Sequence, residues 1–488
     1  MDSDGLKRKT VTGLLWSVLD KGGQQLVVLV SGIWLATILM PEDYGLIGML
    51  SIFTYLGNAL QESGFTAAII RKERLIKDDL NVAFYLNTSI GVVIYALLFW
   101  CSPFIANFFN EPQLEWLARV VFLMFLFNSF SVVQNAQLIR EMRFKQTTII
   151  NSISLIVSYI VALVFATKGA GAYAIAMQSA SFAFSRMIFL WCYSSWRPTL
   201  TFKRDSFNEL FAFSSKLLLT NILNTCACRL FPSVIGKYYN KIDAGLYENG
   251  QRWGNMPQDF VAGTIANVTF PAISAVQRED GERMRRVCRK MVRVTAFLVY
   301  PLFIGIMVCC SRRAISYIIK PEWADAVPYI LFICVAGIFN GLNTTNYNVL
   351  KTKGESSSIL KFEIVRNIIT IIAIVACIPF GIFYMMSAMV AVSVINYSLF
   401  TIRVNRLLSV TVAQHLRDTL PYGLIMVIAG IAAWYLGGLM QEYNPLLVII
   451  VQLVIMAGVY LGIGYVGGSK IIAEAVQILK RRGGGKES

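Results

Sequence analysis

Pro41-Glu42-Asp43-Tyr44-Gly45-Leu46 stands at the head of an apolar run covering about 44–70. Asn240-Lys241-Ile242-Asp243-Ala244-Gly245-Leu246-Tyr247 stands at the head of another, about 244–275. Asp43 and Asp243, like Gly45 and Gly245, are 200 residues apart. The runs also close alike, with Ala68-Ile69-Ile70 before Arg71 and Ala272-Ile273 before Arg278. A motif recurring at the same ordinal place in two halves of a chain predicts an internal repeat. The expected architecture is two six-helix bundles in one orientation, followed by two further helices.

Composition sets the class. Of 488 residues, 56% are apolar and only 15% charged, against ~25% charged in soluble proteins. Mean hydropathy is +0.59. Such a chain is neither disordered nor an ordinary secreted domain, and the expected class is all-α integral membrane. Runs near 20 residues, bounded by charge or by Gly and Pro, predict spans at about 11–38, 44–70, 82–104, 115–138, 147–166, 171–192 and 211–235. They continue at 244–275, 292–311, 324–349, 359–378, 382–402, 419–438 and 445–467, making 14 in all. Helices are required because backbone polar groups in lipid need internal partners, and the alternating short strands of a barrel are absent. The organisation that follows is a six-helix lobe over 1–205, a second over 206–410, and two added helices with a basic tail over 411–488. Lys7, Arg8 and Lys9 before the first run imitate a signal peptide, but that run is too long and no cleavage signal follows, so it is expected to be retained.

The net charge of +16 depends for its meaning on where the charges fall. With the N-terminus taken as cytoplasmic, alternate connections carry 31 Lys and Arg, and the opposite connections carry 6, namely Lys168, Lys237, Lys241, Arg312, Arg313 and Lys320. This is the positive-inside asymmetry. It places both termini in the cytoplasm, offers the basic loops to bilayer lipid headgroups, and removes nucleic acid as a partner.

Ionisable groups inside spans are costly unless they face a cavity or a partner. The expected cavity set is Lys21, Gln24, Arg186, Lys216, Asn224, Arg229 and Arg252, with Asp20, Glu62 and Asp259 as coupling or structural acids. These concentrate in spans one, two, seven and eight, equivalent helices of the two repeats, and leave the cavity net positive. A basic intramembrane cleft suits a phosphate-bearing or otherwise anionic substrate.

Other patterns carry no chemistry. The 9 cysteines lie mostly in apolar stretches without a CxxC pair, and the single histidine, His415, falls in a basic connection where a surface position is expected; no metal site or disulfide framework follows. Gly462, Gly464 and Gly467 match a dinucleotide pattern but lie in a span with no preceding strand, and no P-loop occurs.

The order of motifs resembles a known family. Leu14-Leu15-Trp16-Ser17 with Gln24-Gln25, then Leu35-Ala36 and Pro41 to Leu46, then Gly64-Phe65 with Ala68-Ile69-Ile70, mark the first half. Ile235-Gly236-Lys237-Tyr238-Tyr239, Ala244-Gly245-Leu246-Tyr247, Met256-Pro257, Val268-Thr269-Phe270-Pro271 with Ser274 and Gln277, and Lys353-Gly354 mark the second. The chain resembles the polysaccharide biosynthesis flippases for O-antigen and exopolysaccharide precursors, in the MATE-like multidrug/oligosaccharidyl-lipid/polysaccharide exporter superfamily. The resemblance implies a MATE-like fold, 14 transmembrane helices and alternating access, with no cofactor and no catalytic step. It implies passage of an undecaprenyl-pyrophosphate-linked oligosaccharide from the cytoplasmic to the periplasmic leaflet of a bacterial inner membrane. A polysaccharide polymerase is an implied partner, and the basic cavity residues Lys21, Lys216 and Arg229 are implied contacts of the pyrophosphate. An ion-coupled small-molecule exporter of the same fold is the alternative, and the coupling ion stays open.

Overall fold

The computed structural model describes residues 23–25, 27–61, 69, 76–141, 143–199, 201, 230–275 and 281–466; within 259–275 only the Ile273 side chain is described, and those of 465 and 466 are not. In chain order the helices are α1 (Gly23–Ile38), α2 (Pro41–Gln61), α3 (Lys77–Phe109), α4 (Leu114–Ser129), α5 (Val132–Arg140), α6 (Phe144–Thr167), α7 (Ala172–Tyr193), α8 (Leu230–Tyr238) and α9 (Lys241–Ala275). They are followed by α10 (Gly281–Cys309), a short α11 (Arg312–Ile318), α12 (Val327–Thr352), α13 (Ser356–Cys377), α14 (Ile382–Leu408), α15 (Val412–Leu439) and α16 (Pro445–Val466). Among the described residues, nine helices are long and apolar enough to cross a membrane, or ten if α4 and α5 form one bent span.

That bend is a departure from the sequence expectation. The run expected as one helix over 115–138 is two, meeting at Phe130 and Ser131 with an angle of 49°. Ser129 and Ser131 donate their hydroxyls to the carbonyls of Leu126 and Asn128, a back-bonding that competes with the helical ladder and bends it. The Trp191 indole N–H supplies the Phe130 carbonyl with a donor at 2.9 Å. Pro103 inside α3 is accommodated in a similar way. It brings no N–H for the Phe99 carbonyl, and the Ser102 hydroxyl donates to that carbonyl instead at 2.8 Å.

The chain divides into two compact units, Met1–Glu248 and Asn249–Ser488. The first is centred on Phe122 and Phe125, with Met49, Leu50, Ile105, Leu114 and Leu117 around them. Gln61 donates to the Phe125 carbonyl at 2.6 Å and Asn87 to the Gln61 carbonyl at 3.2 Å, so buried amides join α2, α3 and α4, as polar groups do between membrane helices. In the second unit one cluster holds Met284, Cys288, Val349, Leu350, Phe400 and Val404, and another joins Ile304 to Met426, Ala429, Ala433, Met456 and Tyr460. Gly337 and Gly341, four residues apart on α12, lie against Phe303 and Val299 of α10; small residues at this spacing let membrane helices approach closely.

The outer surface is apolar. On α3, Val93, Leu97, Trp100, Phe104 and Phe108 are all more than half exposed along one side. A face of that size would aggregate in water and is at home against hydrocarbon.

Candidate functional site

Arg186 lies two thirds of the way along α7, on a side packed against α5 and α6. Its Nε donates to Asn151 Oδ1 at 3.0 Å and its Nη2 to Asn135 Oδ1 at 2.9 Å. Both acceptors are neutral amides, and among the described residues Arg186 has no carboxylate within ion-pair distance. Taking a guanidinium out of water is costly, and the two amide oxygens replace part of the hydration that it loses. The broken span helps to hold it: α5 swings away from α4 and presents Asn135 to Arg186. The neighbouring Gln134 is fully buried with neither amide atom hydrogen-bonded, so the turn beside Arg186 has unspent polar capacity.

The repeated motif has a physical cause. The first turns of α2 and of α9, both within the first unit, cross at Gly45 and Gly245. A Cβ on Gly45 would stand 1.8 Å from the Lys241 carbonyl oxygen, and one on Gly245 would stand 1.7 Å from that of Pro41. Only glycine fits at either place, and the two contacts exchange roles under a local two-fold. Asp43 accepts from the Met40 N–H at 3.0 Å, and Asp243 pairs with Asn240, its N–H donating to Asn240 Oδ1 at 2.7 Å; these close the helix starts by N-terminal capping. Beside the crossing, Lys241 Nζ lies 3.2 Å from Glu42 and 3.6 Å from Glu111. Its hydrogen bond to Glu42, and the charges of both acids, hold its ammonium above the usual lysine range. Lys237 reaches the Phe108 carbonyl, and Ser233 donates to the Met49 carbonyl at 3.0 Å.

In the second unit the polar groups follow α10, α12, α14 and α15. Asp418 accepts both Nε (2.6 Å) and Nη2 (3.0 Å) of Arg289, with Arg293 at 3.3 Å, which ties α15 to α10. His415 is a correction: it is 5% exposed rather than on the surface, and its Nε2 pairs with the Tyr397 hydroxyl at 2.8 Å. The reason is amphipathic placement. His415, Asp418 and Thr419 share the inner face of α15, while Leu416 and Leu420 face outward. Thr295 bonds Thr345, and Asn346 donates to Thr401 at 2.9 Å. Sequence reasoning also passed over the Glu363–Arg366 pair on α13, 2.5 Å apart. Their i, i+3 spacing was the available signal, as was the run of Asn343, Thr344, Thr345, Asn346 and Asn348 within one span.

Of the residues expected to line a cavity, Gln24 is half-buried on α1, Arg186 is placed as above, and Arg252 is half-buried on α9 in the second unit. Asp259 lies on α9 with its side chain outside the described residues. Lys21, Lys216, Asn224, Arg229, Asp20 and Glu62 also lie outside them. Arg186 gathers Asn135 and Asn151, which sequence reasoning had not singled out.

These features define a multi-span, all-α membrane protein with polar groups set inside apolar helices. The chain belongs to the polysaccharide biosynthesis protein family, whose profile matches residues 34–328. It is 26% identical over 310 residues to the teichuronic acid biosynthesis protein TuaB of Bacillus subtilis, covering 62% of this chain and 63% of that protein. It is 25% identical over 365 residues to the succinoglycan biosynthesis transport protein ExoT of Rhizobium meliloti, covering 74% and 73%. Its fold is similar to that of the lipid II flippase MurJ in an inward closed conformation, with a TM-score of 0.74 at 12% identity over 94% of this chain and 99% of that one. An inward-facing multidrug resistance MATE transporter follows at 0.62, with 14% identity, 79% of this chain and 95% of the other.

Proposed function

We propose that this protein is a lipid-linked oligosaccharide flippase of a bacterial inner membrane: a transporter, with no catalytic step and no cofactor. Its cargo is an undecaprenyl-pyrophosphate-linked repeat unit, carried from the cytoplasmic to the periplasmic leaflet. The observation that carries the reading is the likeness of 94% of the chain to the fold of a lipid II flippase, in a chain whose family and relatives belong to polysaccharide biosynthesis. The likeness to a drug exporter is the weaker and shorter one, which ranks the small-molecule exporter second.

The finer plan we propose has 14 membrane helices, in lobes over 1–205 and 206–410 with two added helices in 411–488. Both termini are cytoplasmic, as the 31 to 6 division of basic residues supports. On that orientation the Gly45–Gly245 crossing lies at the periplasmic ends of α2 and α9. The head group passes through a hydrated, basic cavity while the prenyl chain stays in lipid, and the lobes then rock to expose the cavity outward. Lys21, Gln24, Arg186, Lys216, Asn224, Arg229 and Arg252 are the proposed cavity contacts; what supports Arg186 is a guanidinium held by two neutral amides with no paired carboxylate among the described residues. Asp20, Glu62 and Asp259 are proposed coupling or structural acids. Bilayer lipids and a polysaccharide polymerase are the proposed partners.

The test is flipping of a fluorescent polyprenyl-pyrophosphate oligosaccharide in liposomes containing the purified protein. Wild type should flip it, and Arg186→Ala should lose at least tenfold in rate while remaining folded, since removing a charged hydrogen-bond donor is worth about 1.5–3 kcal/mol. Efflux of small cations without any glycan flipping would overturn the reading in favour of the exporter.

A further inference from the structure

The break in the α4–α5 span leaves a cleft that the proposed transport does not use. Phe130 at the break, Met187, Ile188, Trp191 and Cys192 on α7, and Arg197 just past the end of α7 line a cavity of about 540 Å³. Cavities of ~300–1,000 Å³ are the ordinary size of ligand sites. Positions 187, 188, 191 and 192 recur at helical spacing, so one apolar stripe of α7 makes the wall. Ile188 and Cys192 are exposed, so the slot opens away from the bundle, toward hydrocarbon.

Its polar end holds Arg197. Arg197 Nη1 donates to the carbonyls of Ser194 (2.6 Å) and Trp196 (2.8 Å), and Nη2 to that of Trp191 (3.3 Å). The guanidinium sits 5.5 Å from the Trp191 ring centroid. These contacts orient the group and cap the end of α7, yet every acceptor is neutral. Among the described residues no carboxylate lies within ion-pair distance of Arg197, and its Nε–H is unused. An oriented, exposed positive charge therefore stands at the mouth of an apolar slot that opens to lipid.

We propose that this cleft binds one anionic phospholipid, an acyl chain lying against Phe130, Met187 and Ile188 and its phosphate on Arg197. One guanidinium matches one phosphate, and the segment after α7 lies on the side that the charge division assigns to the cytoplasmic leaflet, where anionic headgroups meet basic residues. The inference rests on the membrane-spanning fold and not on the proposed cargo. A bound chain fills the wedge between α4 and α7 and supports the break.

The experiment uses full-length protein in nanodiscs of phosphatidylcholine doped with phosphatidylglycerol whose acyl chain carries a diazirine. Crosslinked peptides are mapped by mass spectrometry, and maleimide labelling of Cys192 is followed in parallel. Crosslinks should fall on Met187 and Cys192, and phosphatidylglycerol should slow labelling of Cys192. Arg197→Gln should reduce the crosslinks about fivefold, equivalent to the ~1 kcal/mol of one basic residue at an anionic surface. Arg197→Lys should retain most of them, and Ile188→Trp, which fills the slot with charge unchanged, should abolish them. Equal crosslinking by diazirine phosphatidylcholine, or no difference between wild type and Arg197→Gln in folded protein, would overturn the proposal. A polyprenyl phosphate that displaces phosphatidylglycerol severalfold at equal concentration would overturn the choice of occupant.

Discussion

Replacing Gly245 by alanine tests the helix crossing directly. The new Cβ would begin 1.7 Å from the Pro41 carbonyl oxygen, an obstacle made of backbone, which cannot rotate aside. Ordinary contact begins at 3.4 Å, so the helix starts must part by about the difference, 1.7 Å. A displacement of that size carries Lys241 out of reach of Glu42, now at 3.2 Å. Overpacking of this kind costs about 1–3 kcal/mol, and the rigid obstacle places Gly245→Ala near the top of that range. A cost of about 2–3 kcal/mol on the crossed arrangement reduces its population relative to a parted one by about 30- to 150-fold. The assay is disulfide formation between Glu42→Cys and Lys241→Cys in membranes, read as the linked peptide pair, with and without Gly245→Ala. Crosslinking should fall at least tenfold. Gly45→Ala should do the same, and the double replacement should add little, because the crossing is already open after the first. Undiminished crosslinking in Gly245→Ala, or fully additive losses, would refute the argument that backbone contact sets this approach.

Other outcomes are expected elsewhere. Asp418→Asn leaves Arg289 and Arg293 without their carboxylate. It should cost about 2 kcal/mol in thermal stability, less than a fully buried pair because the two guanidiniums are about 30% exposed, and an unchanged melt would show that the clamp is idle. Tyr397→Phe and His415→Phe should each destabilise by about 1 kcal/mol, with a coupling energy close to either single loss, since they remove one shared hydrogen bond; a double-mutant cycle that closes to zero contradicts it. Arg403 and Ser358 hold the Glu355 carboxyl below its usual range, with the Arg403 hydrogen bond the larger cause. Because the folded value is lowered, that contribution is present above the ordinary ~4.3 and disappears as pH falls through the folded value. Arg403→Gln should therefore lower the melting temperature near neutrality, and match wild type in strong acid; equal losses at both pH values would refute the assignment.

Several helices were legible because hydropathy and punctuation are local: the runs expected at 147–166 and 382–402 appear as α6 and α14, the second extended at its C-terminal end, while most of the run expected at 211–235 lies outside the described residues. The glycine repeat was legible too, although the sequence gives only its spacing and not the carbonyl contacts behind it. The break at Phe130 was hidden, since no proline marks it and its donor, Trp191, lies 61 residues away. His415 was misplaced for a related reason. Its basic neighbourhood reads as a loop, whereas burial is decided by Tyr397 and by the α10 arginines that anchor Asp418 one turn further on. Arg186 was visible as a cation in a span, but Asn135 and Asn151, which aim it, belong to other helices.

The two kinds of ion pair in the second unit also fix an order of events during biogenesis. Glu363 and Arg366 are three residues apart on α13, so they meet as soon as that helix forms, and it can enter the bilayer with its charges already cancelled. Asp418 has its partner Arg289 129 residues earlier. During synthesis α10 must wait with its arginines at the membrane edge until α15 emerges. Interrupting translation between the two helices should leave a chain that is inserted yet unfinished, its arginines accessible to recognition by quality-control machinery.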